Sequence, residues 1–95
     1  MAIGLRLKFS GGTQESYDAA HGIMNIDSDP PTGMIFHSAG PIDGGWGVID
    51  FWESREAFDN FAAQRLMPGL QGLGDRGFPE PPDIREFEVH NFQAA

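Results

Sequence analysis

The run from Trp46 to Trp52 constrains this chain more than any other segment. It is apolar on both parities, with Val48 and Trp52 on one side and Ile49 and Phe51 on the other. A strand with one wet face alternates apolar and polar residues, so this pattern marks a strand covered on both faces. Pro41-Ile42-Asp43-Gly44-Gly45 precedes it. Asp-Gly and Gly-Gly tolerate the positive φ of tight turns, which predicts a hairpin with an extended run from Met34 to Gly40. Asp50 alone interrupts the apolar run, and a carboxylate under cover needs a partner.

The rest of the chain arranges itself around that hairpin. Ile3, Leu5, Leu7 and Phe9 alternate with Gly4, Arg6 and Lys8, the period of a strand. Thr13 suits a helix N-cap, and Tyr17, Ala20, His21 and Met24 then fall on one helical face. That helix should fail near Asp27, ahead of Asp29-Pro30-Pro31. Ser54 caps a second helix with Phe58, Phe61, Ala62 and Leu66 inward, which Pro68 should end or kink. Ile84 to Phe92 alternates as a fourth strand, with Glu86 and Glu88 expected beside Arg6 and Lys8 on the open face of the sheet. The order β-α-β-β-α-β predicts an α+β, ferredoxin-like domain over residues 1–95: one antiparallel four-stranded sheet with two helices on one face.

That plan leaves the other face of the sheet bare, yet the third strand calls for cover on both. A chain of 95 residues also buries a modest share of its surface, and with no Cys it has neither disulfides nor a zinc–thiolate site to help. A homodimer through the open face answers both points. The net charge of −8, without a Lys/Arg cluster, argues against nucleic acid or an anionic membrane as partner. No apolar stretch approaches the roughly 20 residues of a membrane span, and the N-terminus lacks a basic region followed by an apolar run. A soluble, cytoplasmic protein is expected.

The run Val48-Ile49-Asp50-Phe51-Trp52-Glu53-Ser54-Arg55-Glu56-Ala57-Phe58 resembles the dimeric α+β barrel superfamily, most of all the small antibiotic-biosynthesis-monooxygenase-like proteins. There a strand ends in Trp, a Ser caps, and Glu-Ala-Phe opens the second helix. The resemblance implies a homodimer that takes a quinol-like aromatic or polyketide-like molecule between sheet and helices and oxidises it with O₂, using no metal or flavin. It places Trp52 at the pocket. Those enzymes carry Asn four residues before the Trp, where this chain has Val48. The haem-degrading branch carries a His on the second helix, where this chain has Ala62 and neighbours without His.

Strand register then selects the candidate residues. If Asp43-Gly44 is the two-residue turn, His37 lies opposite Asp50 and Ile35 opposite Trp52; if Gly44-Gly45 is, His37 lies opposite Trp52. In both registers His37, Asp50 and Trp52 share one face. His37 and Asp50 are the expected catalytic pair, because an Asp beside a His orients the ring and stabilises its protonated form. Trp52, Tyr17 and His21 are expected to bind substrate. No His-x-His or His-x-x-x-His pair exists, so no metal site is expected, and the resemblance implies no cofactor. The competing reading is a non-catalytic ligand-binding dimer whose space between sheet and helices is filled core.

Overall fold

Gly44 sits at φ 80° and closes the predicted hairpin, leaving Ile42 opposite Gly45. In the computed structural model, which describes residues 2–93, this hairpin is the edge of one sheet. The elements are β1 (Ile3–Ser10), α1 (Gln14–Met24), β2 (Met34–Ile42), β3 (Gly45–Trp52), α2 (Arg55–Phe61), α3 (Met67–Leu73) and β4 (Asp83–Glu88). The sheet order is β2-β3-β1-β4, with every neighbouring pair antiparallel. This is the expected ferredoxin-like α+β fold. Its core joins the odd residues of β1 and the even residues of β3 to Phe58, Phe61 and Leu66.

Three local expectations need correcting. A bulge between Met34 and Phe36 puts Met34, not Ile35, opposite Trp52. In β4, Glu86 and Glu88 pair with Leu5 and Ile3, so they lie on the helix side, while Arg6 bonds Asp83 at 2.7 Å. Glu86 is met there by Arg55 at 2.5 Å. The outward side of β4 carries Phe87 instead, and a Cβ on Gly4 would run into its ring. Finally, Pro68 does not end the second helix. A π turn at Ala62–Leu66 joins α2 to α3, and Pro68 falls in the first turn of α3. The π turn shifts the hydrogen-bonding frame just ahead of a residue that has no N–H to give.

Candidate functional site

The site forms where α1 crosses β2 and β3. The Thr13 hydroxyl accepts from the Ser16 N–H and starts α1 in the phase that turns Tyr17 and His21 toward the sheet. Asn25, in the left-handed region at φ 54°, ends the helix and redirects the chain so that Asp27 meets His21. On the sheet, the hairpin register sets His37 opposite Asp50.

These side chains form one continuous hydrogen-bonded chain. Asp50 is 4% exposed, and its two oxygens take His37 Nδ1 at 2.6 Å and the Trp52 indole N–H at 3.3 Å. His37 Nε2 lies 2.6 Å from the Tyr17 hydroxyl. That hydroxyl is also 3.2 Å from His21 Nδ1, and His21 Nε2 is 2.9 Å from Asp27 Oδ1. The path runs from a buried carboxyl to one that is 88% exposed. Burial, and after it the charges of Asp50, Asp27 and Asp18, push the Tyr17 hydroxyl above its ordinary value near 10. Tyr17 therefore stays a neutral phenol that can hand on a proton but does not rest as tyrosinate.

A cavity of about 40 Å³ opens beside this chain. Tyr17, His37 and Asp50 line it together with Met24, Met34 and Leu70. Pockets for small organic ligands typically measure about 300–1,000 Å³, so this one has room for no more than a water-sized molecule as it stands. A larger concavity, about 580 Å³, is an open groove between residues 29–32 and α2 and does not touch the chain. Among the described residues no three His, Asp or Glu side chains are grouped as a metal would require.

The structure thus brings His37, Asp50, Tyr17 and His21 together. It puts Trp52 elsewhere than expected: the indole is fully buried, packs on Phe58 and Phe61 at 5.5 and 5.3 Å between ring centres, and does not line the cavity. Its contact with the site is the bond its N–H donates to Asp50. The aromatic ring beside Tyr17 is Trp46, at 5.7 Å, whose buried N–H has no protein partner. Asp27 escaped sequence reasoning because its link to His21 depends on the left-handed Asn25, and an Asn five residues before a Pro-Pro pair has many other readings.

No protein-family profile and no curated protein matches this sequence. Solved structures do match. An antibiotic biosynthesis monooxygenase candidate from Caulobacter crescentus superposes with TM-score 0.72 at 11% identity, over 95% of this chain and 91% of the other. SnoaB, a cofactor-independent oxygenase from Streptomyces nogalater, gives 0.63 at 14%, over 96% and 94%. MhuD, solved with two manganese protoporphyrin IX bound per active site, gives 0.61 at 18%, over the whole of both chains. At such identities the likeness shows the fold. It is the fold of antibiotic-biosynthesis-monooxygenase-like proteins, the class to which residues 48–58 point.

Proposed function

We propose that this protein is a small cofactor-independent enzyme that acts by proton transfer on an apolar, aromatic or polyketide-like molecule. One observation carries the reading: the Asp50–His37–Tyr17 chain, with contacts of 2.6 Å on both sides of His37, ends on an otherwise apolar cavity. A substrate O–H or acidic C–H gives its proton to Tyr17 Oη while the Tyr17 proton passes to His37 Nε2. Asp50 holds the resulting imidazolium through Nδ1–H, and the buried position strengthens that attraction. The substrate anion then isomerises, or gives electrons to O₂ as co-substrate. To admit a ring, the cavity must grow. Met24 and Met34, two of its walls, are the side chains best able to repack.

Haem chemistry of the MhuD kind fits this chain poorly, because residues 55–73 contain no His to ligate iron. The homodimer belongs to the same reading. Phe36, Ile49 and Phe87 stand about half exposed on the outer sheet face with Phe51 between them. A second copy covering them would bury on the order of 1,600 Å² in total.

The small cavity favours one competing reading, a non-catalytic dimer with a filled core. Oxygen uptake with anthrone, a tricyclic carbon acid, separates the two. The wild type should consume O₂ about 100-fold faster than His37→Ala if His37 accepts the proton. Equal rates from two folded proteins would leave the filled-core reading.

A further inference from the structure

Neither His21 nor Asp27 lines the cavity, yet both belong to the chain of contacts that reaches it. Four contacts link Asp50, His37, Tyr17, His21 and Asp27 in series. Each contact needs one hydrogen. With both carboxyls ionised and both imidazoles neutral, the five groups carry three: one on each ring and one on the phenol. One contact is then two acceptors facing each other. With both rings protonated, His37 and His21 both donate to the Tyr17 oxygen, the phenol proton has no acceptor, and two cations lie 6.1 Å apart. One added proton satisfies all four contacts at once.

That proton has two resting places. In one form His37 is the imidazolium, between Asp50 and Tyr17. Tyr17 then donates to His21 Nδ1, and His21 donates through Nε2 to Asp27. In the other form His21 is the imidazolium and Tyr17 donates to His37 Nε2. The forms interconvert when Tyr17 gives its own proton to one ring as it takes a proton from the other. No heavy atom changes partner, no electron is transferred, and no co-reactant is needed. The groups that face the phenol are Asp18 and His21 from α1, Asp27 beyond it, His37 from β2 and Asp50 from β3. The charged groups among these are acids and the two rings, which suits a site that takes up one proton and gives it off again.

We infer that His21 and Asp27 form the solvent end of a one-proton relay, through Tyr17, that loads and empties the buried His37–Asp50 pair. His21 is thereby reassigned from substrate contact to proton conduit, and exposed Asp27 becomes its exit. This rests on the acid–base reading of His37 for its purpose, but its physical test does not need a substrate.

The test follows the His37 Nε2 hydrogen, the one shared with Tyr17, by NMR as saturation transfer from water, in the wild type, His21→Phe and Asp27→Asn. The relay predicts exchange about tenfold slower in His21→Phe and a smaller slowing in Asp27→Asn, whose exposed position leaves folding intact. Anthrone turnover is measured in the same proteins. In His21→Phe it should fall in kcat with KM unchanged, and free imidazole added to the buffer should restore it. Slowed exchange in proteins that never turn over anthrone keeps the relay and removes the enzyme. Wild-type exchange in folded His21→Phe and Asp27→Asn overturns the relay, and turnover that persists alongside it leaves the enzyme standing.

Discussion

The two faces of this sheet solve the same problem in opposite ways. On the helix side, a carboxyl, two imidazoles and a phenol sit among apolar side chains, and each finds a partner within 3.2 Å. On the outer side the polar groups, Arg6, Ser38, Asp83 and Arg85 among them, are exposed to water. Phe36, Phe51, Phe87 and Phe92 form a chain of rings 5.3–6.3 Å apart that is left largely in water. The inner face thus pairs its acid, imidazole and phenol groups, though the Trp46 N–H there lacks a protein partner, whereas the outer face is incomplete as an apolar one. Polar groups under cover must be paired within the fold. Apolar area can wait for a second chain to cover it. The proposed function is accordingly placed inside, and the proposed association outside.

Substitutions can break either half of this contrast. The largest effect is expected from Trp52→Ala, which removes the packing against Phe58 and Phe61 and one of the two donors to Asp50. Chemical denaturation should show a loss of about 3–5 kcal/mol. A loss below about 1 kcal/mol would mean that the inner face is not a packed support for the site. On the outer face, Phe51→Glu puts a charge at the centre of the ring cluster. Light scattering should show a dimer turning into a folded monomer, with the dissociation constant raised at least about 100-fold, as for loss of an interface hot spot. A wild type that is already a folded monomer would remove the outer-face account.

Asp50→Asn keeps the shape but replaces one acceptor oxygen with an amide nitrogen. Stability should fall by about 1–3 kcal/mol, the range for leaving a buried group poorly paired. The smallest effect is expected from Tyr17→Phe. Because the Tyr17 proton is held more tightly in the folded chain than in the unfolded one, its stabilisation is complete below pH about 10 and disappears as pH rises through the folded value. Wild-type stability should therefore decline in alkali along a slope that Tyr17→Phe lacks. Parallel slopes would show that Tyr17 ionises alike in both states.

Much of this was legible in the residues. Alternation and turn residues carried the element order and left two hairpin registers, both with His37, Asp50 and Trp52 on one face; the fold takes the one that sets His37 across from Asp50. What failed was inference from polarity. Glu86 and Glu88 read as outward because one face was assumed wet, but β4 is an edge strand, where an inward-facing Glu86 still reaches water and Arg55. Pro68 read as an end or a kink; the α-helix is instead interrupted by a π turn just ahead of it, which leaves no pattern in sequence. Trp52 read as pocket lining because its face was right. Only the packing shows that Phe58 and Phe61 reach it first.

The central claim is that the chain from Asp50 through His37 to Tyr17 moves a proton to and from a bound carbon acid. Deuterium incorporation from D₂O into the methylene of anthrone, followed without oxygen, measures that step alone. The account predicts that the wild type accelerates exchange at least about 100-fold over buffer and that His37→Ala, still folded, does not. Exchange at the buffer rate with saturating anthrone and folded wild-type protein would contradict it.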